Sequence, residues 1–304
     1  MTPVAPPVAL RATTWDAALE ETLSSSAHAG MLGDLSVHSV HDRVINLRCG
    51  DGLIALVDDR LDDAPFTIRI RSAQWPLLPA RVGDPARITV DGLIVHAART
   101  DVRVVLHPAD RWIPAPIQGA PSVAALRDAR AALAAMTPPP PMTPFGLASA
   151  PALAAGIDRM RIAASAVLQG SPAENAVTDA ARRLIGLGEG LTPSGDDILT
   201  GLAFIAAHPG FGLTRLIAPL SDAVCAGFDA TTLLSTVTVQ AALAGRARAR
   251  LHDLVAAVVD GSSERILTAA VATAAIGHTS GHDILTGIRL ALDLAGTRAP
   301  AHAL

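Results

Sequence analysis

The sequence predicts an α+β protein: a small antiparallel β barrel or sandwich-like N-terminal part, then an all-α C-terminal domain with an internal helical repeat. Three observations carry this. Short Val- and Ile-rich runs, often alternating with polar residues, fill residues 37–107. Alanine-rich segments of helical length, broken by Gly, Pro or Ser, fill residues 151–304. The octapeptide S-G-D-D-I-L-T-G at 194–201 returns as S-G-H-D-I-L-T-G at 280–287, an offset of 86 residues.

The predicted strands are "VHSVHDRVINLRC" (37–49), "GLIALVD" (52–58), "FTIRIR" (66–71), "ARITV" (86–90), "GLIVHAA" (92–98) and "VRVVLH" (102–107). Turn pairs such as Asp51-Gly52 and Asp91-Gly92 separate several of them, and short strands at this spacing suggest a barrel or sandwich. This gives a β-rich domain over 1–112. A Pro-rich connector over 113–150 carries one helix, "SVAALRDARAALAAM" (122–136), with Ser122 as its N-cap, and a polyproline-like stretch, "TPPPPMTPFG" (137–146). The domain over 151–304 reads as helices near 151–168, 172–186, 195–207, 213–227, 231–244, 247–259, 263–276 and 281–295.

Composition narrows the chemistry. Half of the 304 residues are apolar, enough for a sizeable core. All 24 basic residues are Arg, and there is no Lys, which excludes Schiff-base chemistry and a P-loop lysine. Arg still grips carboxylate or phosphate bidentately. A net charge of −4 argues against nucleic acid as a partner. Cys49 and Cys225 lie far apart, form no metal spacing and fit a reducing cytoplasm. No basic-then-apolar leader opens the chain, and no apolar run has membrane-spanning length.

The stretch "GLGEGLTPSGDDILTGL" (186–202) is the least ordinary part of the chain. Ser194 with Asp197, and Ser280 with Asp283, fit a capping box with Asp in place of the usual acid. Gly201 and Gly287 let a second backbone come close. A cap, however, needs neither Gly186, Gly188 and Gly190 nor Asp196 beside Asp197. Alternate glycines before a helix suit a bent backbone whose N–H groups meet an anion at the positive helix end. The segment before them reads as helix, so this is no dinucleotide fingerprint. If a pseudo-twofold relates the repeats, one cleft gathers Thr192, Ser194, Asp196, Asp197, His278, Ser280, His282 and Asp283, a suitable set for a small polar substrate. No cofactor is called for; the two histidines and the aspartates leave a divalent metal as the alternative. Among other candidates, Thr231 or Thr232 reads as an N-cap, with a second hydroxyl near the cleft. His252, in "GRARARLHD" (245–253), reads as part of a solvated face.

The strings "GLGEGLTPSGDDILTGL" and "GHTSGHDILTGI" resemble the two signature segments of a bacterial domain-of-unknown-function family. One branch of that family is the AllH-type subunit of oxamate carbamoyltransferase, from anaerobic allantoin catabolism, a purine degradation route. The order of a β-rich part and a helical part is similar too. The resemblance implies carbamoyl transfer between carbamoyl phosphate and oxamate, with oxalurate as the carbamoylated partner, in a hetero-oligomer with other subunits. Carbamoyl transfer needs donors for the oxyanion and phosphate and a base for the attacking amide. On this reading Asp196, Asp197, His282 and Asp283 are the catalytic candidates. Gly188, Gly190, Thr192, Ser194, Gly195, His278, Ser280 and Gly281 are the anion-binding candidates. Two other functions fit the same residues: a non-catalytic ligand-binding or regulatory subunit, and an Asp/His-dependent hydrolase of a small amide or carboxylate.

Overall fold

The structure is a computed structural model that describes residues 8–22, 35–78, 80–89, 92–96, 101–141 and 143–297. Two compact units divide after Pro114.

The first unit is built on strands β1 (Val8–Asp16), β2 (Leu35–His41), β3 (Val44–Cys49), β4 (Gly52–Asp58), β5 (Thr67–Ile70), β6 (Pro85–Thr89), β7 (Gly92–His96), β8 (Asp101–Val105) and β9 (Arg111–Trp112). They hydrogen-bond in the order β5-β4-β3-β2-β6-β7-β8-β1-β9, and β1 also pairs with β5, so eight strands form a nearly closed barrel. Most neighbours are antiparallel, but β1–β8, β1–β9 and β4–β5 are parallel, which makes the sheet mixed. β4 and β5, both expected strands, pair in parallel; the other two parallel pairs belong to β1, which the sequence reading left unassigned. It inserts between β8 and β5 and covers both edges, removing the open rows of backbone N–H and C=O groups.

Two further differences are local. Residues 37–49 are a hairpin rather than one strand: His41 pairs with Val44, leaving Asp42 and Arg43 as a two-residue turn. Cys49 pairs with Gly52, so the next turn is Gly50-Asp51, one residue before the expected pair. Asp91 lies outside the described residues. Alternation survives across a tight turn, so hydrophobic pattern alone does not reveal it. Leu10, Trp15, Leu47, Leu56, Ile68, Leu93 and Val104 lie in one buried cluster, each contributing roughly 1.5–3 kcal/mol of burial.

The second unit is helical: α1 (Val123–Ala134), α2 (Pro144–Leu168), α3 (Glu174–Arg182), α4 (Ser194–Ala206), α5 (Ile217–Ala226), α6 (Leu233–Leu243), α7 (Ala249–Asp260), α8 (Ser263–Ala274) and α9 (Ser280–Gly296). Ser122 caps α1, accepting from the Ala125 N–H. Thr232 caps α6, accepting from the Ser235 N–H at 3.1 Å. Helix α2 begins seven residues before the expected 151, because Thr143 caps it and Pro144 takes the first helical position, where a missing N–H has no consequence. Pro151 is therefore inside the helix.

Helix α4 is the centre of this unit, with every residue from Gly195 to Ala206 buried. Its apolar side chains and those of α9 belong to one cluster that includes Leu199, Leu202, Phe204, Ile284, Leu285 and Ile288. His252 belongs to this interior and not to a solvated face. Its ring stands edge-on to Phe204 at 4.9 Å, and burial lowers its pKa to about 4. Both Cys49 and Cys225 are free. Among the described residues no helix is long and apolar enough to cross a membrane.

Candidate functional site

The two octapeptides begin α4 and α9, and these helices cross at their glycines. A Cβ on Gly201 would lie 2.2 Å from the Ile284 carbonyl oxygen, and one on Gly287 would lie 1.9 Å from that of Ile198. These contacts are reciprocal: 201 corresponds to 287 and 198 to 284 under the repeat offset. The threonines obey the same symmetry. Thr200 donates to the Asp196 carbonyl and Thr286 to the His282 carbonyl, each at 2.9 Å. The helix pair therefore packs about a local pseudo-twofold, and its two N-termini meet.

Across that axis, Thr192 Oγ1 and Ser280 Oγ are 3.0 Å apart. The Ser280 and Thr192 hydroxyls are the polar neighbours of the Asp197 carboxyl. Those of Ser194 and Thr279 are the neighbours of Asp283. Each repeat thus offers its serine to the other repeat's aspartate. Neither serine caps its own helix: the N-cap residues are Pro193 and Thr279, and neither makes a side-chain cap bond. The Pro193 carbonyl instead accepts from the N–H groups of Asp196 and Asp197 at 2.9 and 3.2 Å. The capping-box expectation is corrected accordingly. The register is one residue off, and the serine hydroxyls are taken up by tertiary partners that no local pattern can specify.

The loop before α4 has a purpose in this arrangement. Gly186, Gly188 and Gly190 have φ of 72°, 122° and 94°, in the left-handed region that favours glycine. The anion that Gly186 meets belongs to the protein itself: its N–H donates to Asp196 Oδ1 at 3.0 Å. Asp196 Oδ2 accepts from Thr231 Oγ1, and Ser235 is a further polar neighbour. Asp196 is 2% exposed and fastens the glycine loop and the start of α6 to α4. Thr143 donates to Glu189 and ties the same loop to the start of α2. Gly188 lies against the Ser194 backbone, whereas open space surrounds Gly190. Gly195 and Gly281 admit the carbonyls of Leu184 and Thr273. Among the described residues, the backbone N–H groups from Gly188 to Thr192 make no backbone hydrogen bond.

The site is a buried floor with a half-buried rim. Asp197, also 2% exposed, forms the floor with Asp196. Thr192, Ser194, Ser280, His282 and Asp283 form the rim. His278 stands exposed on the loop before α9, away from these contacts. Four atoms in the cluster are buried without a hydrogen-bond partner: Asp197 Oδ2, Asp283 Oδ2, His282 Nδ1 and Ser235 Oγ. Burial raises the pKa of Asp196 and Asp283 and pushes that of Asp197 well up, with the Asp283 and Asp196 charges adding to the last. Strained carboxyls of this kind concentrate at functional sites. Among the described residues, no group of three or more His, Cys, Asp or Glu is arranged to hold a metal ion. The sequence reading did not single out Ser235, Thr143, Glu189 or Thr279 for the site. Only Ser235 left a signal, as one of the helically spaced hydroxyls of "TTLLSTV".

Asp197 carries a test of this description. A buried carboxyl with a raised pKa stabilises the fold below the unfolded-state carboxylate range, and that contribution is lost as pH rises through the raised value. Asp197→Asn, neutral at every pH, is therefore expected to be more stable than the parent at about pH 8 by roughly 1–3 kcal/mol, with the gap closing towards about pH 4. Urea unfolding across this range measures it. A helix-capping acid would give the opposite sign at the higher pH.

A mixed barrel-like sheet and a helical unit define a two-part chain, and paired S-G-x-D helix starts build one duplicated polar cluster in the helical unit. The family model described as oxamate carbamoyltransferase subunit AllH matches residues 184–292. That described as the AllH family N-terminal domain matches residues 11–111. The chain belongs to the AllH family. No solved structure matches it.

Proposed function

We propose that this chain is a subunit of an oxamate carbamoyltransferase-type enzyme and that the paired helix starts hold its small anionic substrate. The observation that carries the reading is the set of buried, unpartnered acceptor atoms on Asp197, Asp283 and His282 at the meeting point of two helix N-termini. Carboxylates so placed repel a bare anion but accept N–H groups. Oxamate, oxalurate and carbamoyl phosphate all carry amide N–H on one side and anionic oxygen on the other. The amide end points to Asp197 and Asp283. The anionic end meets the free N–H groups of the 188–192 loop and the helix dipole. The attacking amide nitrogen bonds to the carbamoyl carbon, the carbon's C–O bond to phosphate breaks and phosphate leaves, and His282 or Asp283, on the half-buried rim, takes the amide proton. Asp196, both of whose oxygens are engaged within the protein, acts as a positioning residue. Other subunits complete the enzyme.

The experiment is a ligand series on the purified chain by thermal shift, using carbamoyl phosphate, oxamate and oxalurate, followed by carbamoyl-transfer assays with partner subunits added. A ligand at a hundredfold excess over its Kd adds about 2.7 kcal/mol of stability. At least one of the three is expected to stabilise the chain and to lose that effect in Ser280→Ala. No stabilisation by any of them, with or without partners, would sink the reading. Binding retained while transfer is indifferent to the His282 and Asp283 side chains would make this a ligand-binding subunit without a catalytic part.

A further inference from the structure

A second concave surface lies in the helical unit, separate from the motif cluster. It is a groove of about 510 Å³ between α1 and α9, lined by Arg127, Arg130, Ala131, Ala134, Arg289 and Asp293. The α1 residues fall on one helical face by their spacing of three and four. Ala131 and Ala134 leave the space, and the arginines stand around it. Arg289 is six residues beyond Asp283 on α9, about 9 Å further along the axis and well round the helix, so the groove shares no residue with the motif site.

The charge of this groove runs against that of the molecule. The chain carries −4 overall, yet three guanidiniums face a single carboxylate here. Arg130 Nε donates to Asp293 Oδ1 at 2.6 Å, which fixes one guanidinium across the groove. Arg127 reaches only its exposed neighbour Asp128, at 3.3 Å, and Asp128 also accepts from Ser263. Among the described residues Arg289 makes no ion pair and is exposed. With Asp128 and Asp293 both counted, the local excess is about one positive charge, carried by Arg289, beside the small exposed side chains of Ala131 and Ala134. Pockets for small ligands have volumes of this order, with a few polar groups placed to orient them.

We propose that this groove binds the phosphate of a small phosphorylated ligand. The unpaired guanidinium of Arg289 and that of Arg127, whose contact with Asp128 is long at 3.3 Å, present forks of the bidentate geometry that a phosphate accepts. Asp293, on the same wall, accepts a hydroxyl of the organic part, so an ester is held better than the free ion.

The test is calorimetric titration of the full chain with inorganic phosphate, pyrophosphate and adenosine monophosphate, in chloride buffer of low ionic strength. Pyrophosphate and the monophosphate ester are expected to bind tighter than about 1 mM. Arg127→Gln with Arg289→Gln is expected to weaken both by about tenfold or more, with unliganded melting unchanged because both side chains are exposed. Asp293→Asn should weaken the ester more than pyrophosphate. Binding by neither probe, or affinities that the paired Arg substitutions do not alter, would overturn the proposal. Asp283→Asn, which lies in the other site, is expected to leave these affinities as they are. The two readings therefore fail independently.

Discussion

Gly287→Ala is expected to be the most damaging single-methyl change in the helical unit. The added Cβ would sit 1.9 Å from the Ile198 carbonyl oxygen, 2.8 Å from its carbon and 3.0 Å from the Leu202 nitrogen. All three are backbone atoms of a buried helix, so no side-chain rotamer can relieve the clash. Ala gains about 1 kcal/mol over Gly in intrinsic helix propensity, but the helices must separate by more than 1 Å. Overpacking of a close-packed core costs about 1–3 kcal/mol and sometimes more, and a rigid contact belongs at the upper end. A loss of about 3 kcal/mol lowers Tm by roughly 6–12 °C for a unit of this size. Gly201→Ala, aimed at Ile284, should behave alike. The double substitution should cost less than the sum, because the first already separates the helices. Urea unfolding of the four proteins measures this. A Gly287→Ala chain within about 0.5 kcal/mol of the parent would refute the packing account.

The second large effect concerns chemistry. Asp283→Asn, assayed with partner subunits present, is expected to lower turnover by about a hundredfold or more, the usual scale for losing a general base. Its fold should hold, because the Asp283 carboxyl carries an unpartnered oxygen in the free protein. Asp196→Asn separates positioning from catalysis. One carboxylate oxygen there accepts from Gly186 N–H and the other from Thr231. Putting an amide nitrogen in place of one oxygen sets donor against donor. The expected result is a less stable chain, by about 1–3 kcal/mol, with activity falling in proportion to the loss of the ordered loop. An Asp283→Asn enzyme of full activity would remove Asp283 from the reaction.

Much of this could be read from residue order, for reasons particular to each element. The helices of residues 194–206 and 280–296 are legible to within a residue or so from their apolar spacing and the Gly-, Pro- and Ser-rich breaks before them. Ser122 and Thr232 are caps because a cap is a local bond over three residues. The need for glycine at 186, 188 and 190 was visible because few other residues tolerate those backbone angles. The repeat itself announced a duplicated helix start, and its two strings resemble those of the family that the models match over 11–111 and 184–292.

Other features depended on partners far away in the chain. β1 closes the barrel by pairing with strands more than fifty residues on, and neither its composition nor its alternation says so. Ser194 and Ser280 have the spacing of a capping box, with Asp as its acid, yet they turn to aspartates on the opposite repeat. Asp196 and Asp197 look alike in sequence. Both are equally buried, and their neighbours divide them, one clasping a loop and the other left with a free oxygen. By itself, the sequence determined most of the helices and strands and where the glycine loop must bend, because those are set by interactions over a few residues. Only the tertiary structure decided which hydroxyl meets which carboxyl, because that follows from how two helices cross at Gly201 and Gly287.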